Sequence, residues 1–70
     1  MAVSYNKLWK LLIDNKMRKI DLLKTAGIGT TTLSKLGKDQ YISMEVLVKI
    51  CTVLDCNIGD IVDIIKDSEN

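Results

Sequence analysis

The sequence predicts an all-α protein, a compact bundle of five short helices formed by one domain that spans residues 1–70. Of the 70 residues, 47% are hydrophobic and 27% are charged, which suits one small hydrophobic core. In four segments, apolar residues recur at intervals of three and four, the period of an amphipathic helix. A chain this short buries roughly 60% of the surface that it exposes when unfolded, so we expect it to be near the lower size limit of stable folding.

The first two helices are predicted from an apolar stripe and from a helix-ending glycine. The stripe of the first helix lies between Tyr5 and Asn15 and consists of Tyr5, Leu8, Trp9, Leu12 and Ile13. The second helix is predicted from Arg18 to Ala26. It ends at Gly27, because glycine readily adopts the left-handed conformation that follows a helix.

The third helix is predicted to be short. It begins near Gly29 or Thr30 and continues to Leu36, before Gly37. Its two leucines, Leu33 and Leu36, are the candidates for core positions. Since β-branched residues are frequent in segments 30–33 and 41–54, strand is the alternative there, but strict alternation is absent from both.

The fourth and fifth helices are predicted from capping residues. Ser43 is expected to cap the fourth, whose stripe consists of Leu47, Ile50, Cys51 and Leu54. Asn57 is expected to cap the fifth, with Asp60 completing a capping-box-like pair. The stripe of this fifth helix consists of Ile58, Ile61, Val62 and Ile65. Residues 66–70 are expected to form a polar tail.

Basic and acidic residues are segregated along the chain. Residues 1–38 contain eight basic and two acidic residues, a net charge of +6, whereas residues 39–70 contain two basic and seven acidic residues, a net charge of −5. This asymmetry indicates a surface that attracts polyanions such as nucleic acid. The alternative is that solvated helix faces merely differ in sign.

Several classes of protein do not fit the composition. No uninterrupted apolar run exceeds three residues, so we expect neither a membrane-spanning helix nor a secretory signal, and a cytoplasmic location follows. Histidine is absent, and no catalytic constellation is recognisable, so an enzyme is not expected. Cys51 and Cys56 are interpreted as reduced structural residues, not as a close thiol pair or a metal site. No cofactor, metal or small-molecule ligand is predicted.

The third predicted helix has an unusually polar outer face, formed by Thr30, Thr31, Thr32, Ser34 and Lys35. Threonine is a poor helix former, so a property other than helix propensity explains this run. Hydroxyl groups donate and accept hydrogen bonds, threonine methyls pack on the thymine methyl, and lysine reaches guanine acceptors. The alternative is a capped surface turn whose hydroxyls face water.

A helix, a tight turn and a second helix have the spacing of a helix-turn-helix, here in residues 18–37. The stretch MRKIDLLKTAGIGTTTLSKLGKDQ resembles this motif in the XRE family of Cro and phage-repressor type regulators, and most closely its small single-domain members. The resemblance extends from KLWKLLIDNKM to SMEVLVKICTVLDCNIGDIVDII. Gly27 matches the turn glycine, Ile28 the following aliphatic position, Leu22 the aliphatic position of helix two, and Leu33 and Leu36 the core positions of the recognition helix.

Four residues depart from the pattern of this family. Leu23 replaces the usual alanine, which implies a different spacing or tilt of the two helices. Lys19 replaces a frequent glutamine, and Gly29 replaces the serine that commonly caps the recognition helix. Thr30 occupies a position where arginine is common, which affects the expected base preference and not the fold.

The resemblance implies a lambda-repressor-like fold and a sequence-specific regulator of transcription, by analogy a repressor, that binds double-stranded DNA. The residues expected to contact bases are Thr30, Thr31, Ser34 and Lys35. The residues expected to contact phosphates are Arg18, Lys19, Gly29, Thr32, Lys38 and Gln40. The alternative is a small protein-interaction module or antitoxin-like partner with the same fold.

A homodimer is expected, because one recognition helix contacts too few base pairs for useful specificity. Its candidate interfaces are the fifth predicted helix, the tail after it, and the face of the first helix that carries Trp9.

Overall fold

The computed structural model describes residues 2–66, which form four α-helices, one 3₁₀ turn and a two-stranded sheet. In chain order they are β1 Ala2–Ser4, α1 Asn6–Asp14, α2 Lys19–Ala26, α3 Thr30–Gly37, α4 Met44–Leu54, the 3₁₀ turn Ile58–Asp60, and β2 Asp63–Ile65. Residues 67–70 of the expected polar tail lie outside the described residues. Within residues 2–66, no helix has the length and hydrophobicity that a membrane span requires.

The prediction of a fifth helix is wrong, and the fold is mostly helical with a small sheet instead of all-α. Part of the capping signal is present, because the Asn57 amide donates to the Asp60 carboxylate at 2.9 Å, but only one 3₁₀ turn follows. The chain then extends into β2, which pairs antiparallel with β1 in the register Val3 opposite Ile64. β-branched residues suit an extended chain once a partner strand is available, and β1 supplies that partner from the other end of the chain.

The predicted helix ends hold for α2 and α4, whereas the end of α3 differs. Gly27 has φ 68° and ends α2 in the left-handed conformation. The Ser43 hydroxyl caps α4 by accepting from the Val46 amide at 3.3 Å. Gly37 lies inside the last turn of α3, and the left-handed residue that follows this helix is Asp39, with φ 55°.

The hydrophobic core lies between α1, α2, α3 and α4 and is closed by the segment that precedes β2. Its buried residues are Tyr5, Leu8, Leu12, Leu22, Ala26, Ile28, Leu36, Leu47, Ile50 and Ile61. Four apolar residues predicted to face the core depart from this arrangement. Ile13 lies in the last turn of α1 and is 72% exposed, Leu33 is only half-buried, and Ile58 and Ile65 are exposed because the fifth helix is absent.

The start of α2 is stabilised by a carboxylate. Asp21 accepts from the Arg18 amide at 2.9 Å and pairs with the Arg18 guanidinium, whose Nε lies 3.3 Å away. The backbone hydrogen bond, followed by the side-chain hydrogen bond, lowers the pKa of Asp21 below its ordinary value of 3.8. A lowered folded-state pKa means that ionised Asp21 stabilises the fold above its unfolded pKa, and that this contribution is lost as the pH falls through its folded pKa.

Asp21→Asn is therefore expected to lower the melting temperature at neutral pH, because the amide accepts the Arg18 hydrogen bonds less well than a carboxylate. The gap from the unmodified protein is expected to narrow as the pH falls through the lowered pKa of Asp21, because the carboxyl group of the unmodified protein then becomes protonated. Thermal melts followed by circular dichroism at neutral and at acidic pH measure this difference. An equal gap at both values would contradict the assigned role of the carboxylate.

Candidate nucleic-acid interface

α2 and α3 are joined by a three-residue turn that is anchored in the core. Gly27 supplies the left-handed residue, and the amide of the buried Ile28 donates to the Leu23 carbonyl at 3.1 Å. Gly29 is extended, with φ −86° and ψ 168°, and its carbonyl accepts the Leu33 amide at 3.1 Å in the first turn of α3. This turn fixes the direction of α3 relative to α2.

One face of α3 is buried and the opposite face is polar. Leu36 has 0% exposure and attaches the helix to the core, whereas Leu33 is half-buried and does not belong to the core cluster. The four predicted base-contact residues are all exposed, and they line one shallow depression of about 520 Å³ together with Lys38 and Gln40. The residues in question are Thr30, Thr31, Ser34 and Lys35. This depression, called the α3 face below, combines hydroxyls, an amide and two ammonium groups.

The structure does not bring the six predicted phosphate-contact residues together at one place. Lys38 and Gln40 line the α3 face, and Gly29 is exposed at its N-terminal end. Thr32 is half-buried and does not line the depression. The remaining two, Arg18 and Lys19, lie at the start of α2 and outside the depression.

The two cations at the start of α2 are both exposed but are held differently. The Arg18 side chain is 80% exposed, and its charge is partly offset by Asp21. The Lys19 ammonium lies 4.5 Å from the centroid of the Trp9 ring, a cation–π arrangement that joins α2 to α1. Both charges are therefore available to an anionic partner, on a surface separate from the α3 face.

Tyr5 is hydrogen-bonded to the loop between α3 and α4. The sequence predicted it only as a core residue. Its side chain is buried, its hydroxyl donates to the Gln40 carbonyl at 2.7 Å, and its amide donates to the Asp39 carboxylate at 3.1 Å. Burial, followed by the nearby Asp39 charge, raises the pKa of Tyr5. The signal in the sequence was weak: a tyrosine buried in a core needs a partner for its hydroxyl, but the pattern does not identify that partner.

This tyrosine contact places the loop residues of the α3 face. Asp39 adopts a left-handed conformation that is uncommon for residues other than glycine. In this conformation its carboxylate accepts a hydrogen bond from the Tyr5 amide. The carboxylate is directed towards the Tyr5 backbone, while the adjacent Lys38 and Gln40 side chains line the depression. The α3 face therefore gains a cation and an amide without an unpaired acid between them.

Comparison with known proteins agrees with this geometry. A protein-family model described as the Cro/C1-type HTH DNA-binding domain matches residues 7–67. The chain belongs to this family. The predicted resemblance of the chain to the Cro and phage-repressor type of regulators is thereby confirmed.

A solved structure has the same fold as this Cro/C1-type domain. It is the crystal structure of the transcriptional regulator VanUg, Form II, with a TM-score of 0.87 and 50% sequence identity. The match covers 89% of the present chain and 83% of that chain. No curated protein matches the sequence.

Proposed function

We propose that this Cro/C1-type domain is a sequence-specific regulator of transcription that inserts α3 into the major groove of double-stranded DNA. The α3 face carries the proposal, because Thr30, Thr31, Ser34 and Lys35 are exposed together on the second helix of the motif. Hydroxyls and a lysine can read base edges there, and threonine methyls can contact thymine. The similarity to a transcriptional regulator supports a role in transcription.

Contacts with the DNA backbone would orient α3 in the groove. Lys38 and Gln40 would reach phosphates from one end of the α3 face, and the backbone amides near Gly29 would do so from the N-terminal end of the helix. Arg18 and Lys19 would hold a phosphate from the start of α2. Thr32 is also proposed to contact the DNA backbone, because it does not line the α3 face and is therefore better placed for a phosphate than for a base.

The regulator is proposed to be a repressor that binds as a homodimer. A protein bound to an operator excludes other proteins from the same DNA, and two copies in successive major grooves, about 34 Å apart, would double the sequence that is read.

Since the fifth helix is absent, the candidate dimer interfaces become β2, where Ile64 and Ile65 are exposed, and the surface around Trp9 and Ile13. Light scattering of the protein on a two-site duplex is expected to show two copies; a monomer both free and at saturation would contradict this proposal.

Salt-dependent binding tests the backbone contacts. Arg18→Ala and Lys19→Ala are each expected to weaken binding to specific and random duplex alike, and to reduce the salt slope by roughly one per lost phosphate contact. Anisotropy titrations at several salt concentrations measure both quantities.

The matched control is Lys10→Ala, because Lys10 is an exposed cation that lines a separate depression with Asp14, Asp55 and Asp60. This variant is expected to bind both duplexes like the unmodified protein. If Arg18→Ala and Lys19→Ala leave binding to random duplex unchanged, these residues do not contact phosphates.

A protein-interaction module is the second candidate function. Met44 and Val48, on α4, are 63% and 55% exposed and provide an apolar surface for a partner. The same titration separates the two functions, since a module of this kind would not bind duplex DNA at low salt.

A further inference from the structure

The end of α4 brings the two cysteines of the chain together. The Asp55 amide and the Cys56 amide both donate to the Cys51 carbonyl, the latter at 3.0 Å, and Asp55 is left-handed with φ 53°. In helix ends of this kind the residue after the left-handed residue commonly contacts the residue four positions before the left-handed one, which here are Cys56 and Cys51. Both cysteines line the same depression although five positions separate them in the sequence.

The two thiol groups are accessible from one cavity. Both cysteines are free and half-buried, and both line an open depression of about 440 Å³ between α4 and the 3₁₀ turn. Burial, followed by the charge and hydrogen bond of Cys51, raises the pKa of Cys56 to about 11. The Asp60 and Asp55 carboxylates raise it further, so Cys56 is a neutral thiol at physiological pH.

This arrangement provides two sulfur ligands and no more. Within residues 2–66, no group of three histidine, cysteine or acidic side chains is placed to hold a metal ion. A four-coordinate metal such as zinc therefore lacks ligands here. A suitable ligand therefore has a soft central atom that binds two sulfurs and already carries a third substituent of its own.

We propose that Cys51 and Cys56 form a dithiol site for trivalent arsenicals that carry one organic substituent. The two S–H bonds break and two As–S bonds form. The oxygen of the arsenical leaves as water with both protons, so neither arsenic nor sulfur is oxidised or reduced. The product carries no charge, so the acidic groups around the site do not oppose it. The apolar residues Met44, Val48 and Ile58 of the depression would contact the organic substituent.

The test uses the full reduced chain and phenylarsine oxide. We expect one phenylarsenic group per chain by mass spectrometry, replacing two hydrogens, and the loss of two titratable thiols for each molecule bound. Cys51→Ser and Cys56→Ser are expected to bind at least roughly 100-fold more weakly in the presence of a competing monothiol, because each loses the intramolecular second bond. Circular dichroism establishes whether each variant is folded.

A second measurement on the unmodified protein does not depend on the variants. Affinity for phenylarsine oxide is expected to fall in urea, where the turn that aligns the two sulfurs is lost. Loss of one thiol per arsenical, retention of full affinity by either single variant, or equal affinity in the folded and unfolded chain would overturn the proposal.

Discussion

Leu36→Ala is expected to lower the free energy of unfolding by about 2–5 kcal/mol, which is much of the stability of so small a domain. The Leu36 side chain has 0% exposure, and it is the side chain of α3 that is buried in the core. Its truncation leaves a cavity where α3 meets the rest of the bundle. Urea unfolding followed by circular dichroism measures the change.

Leu33→Ala is the matched control, because it removes the same atoms from the same helix at a half-buried position. Its cost is expected to be clearly smaller than that of Leu36→Ala. Equal costs would mean that Leu33 is as important to the core as the sequence had predicted.

Lys35→Ala and Thr31→Ala are expected to leave the fold intact and to weaken binding to the preferred operator by about 1–3 kcal/mol each. Both residues are exposed on the α3 face, so their removal takes away proposed base contacts without opening the core. Selection from a pool of random duplexes identifies the preferred operator, and titrations against single-base variants of it are expected to show relaxed preference at one or two positions.

Thr32→Ala is the control for these variants, since Thr32 is half-buried beside the α3 face and does not line it. It is expected to change affinity for all duplexes alike and to leave base preference unaltered. If folded Lys35→Ala and Thr31→Ala proteins bind the operator like the unmodified protein, α3 does not read the DNA, and the protein-interaction function becomes the better proposal.

The first four helices and most of the polar face of α3 were predictable because their signals are local. The stripe of α1, Gly27 and the Ser43 cap each depend on residues within a turn or two, and the structure retains all three features, apart from the exposed Ile13. The composition of α3 indicated in the same way that Thr30, Thr31, Ser34 and Lys35 would be exposed, whereas Thr32, predicted on the same face, is half-buried. Leu33 and Leu36 are both apolar and on one helix, but their different burial depends on the placement of the neighbouring helices.

The two-stranded sheet and the tyrosine contact could not be predicted in the same way. Val3 pairs with Ile64, and Tyr5 pairs with Asp39 and Gln40, across sequence separations that no periodic pattern records. The spacing of apolar residues after Asn57 fits a helix, and the pairing of β2 with β1 overrides that local pattern. The same limit applies to the cysteines, whose contact depends on the conformation of Asp55.

Tyr5 links two parts of the molecule energetically. It follows β1 directly and is 1% exposed in the core. Its amide donates to the Asp39 carboxylate and its hydroxyl donates to the Gln40 carbonyl, so the loop that carries Lys38 and Gln40 is attached to the core by one residue. Because the backbone of this loop is already held in one conformation, the entropy cost of ordering it against a partner is reduced.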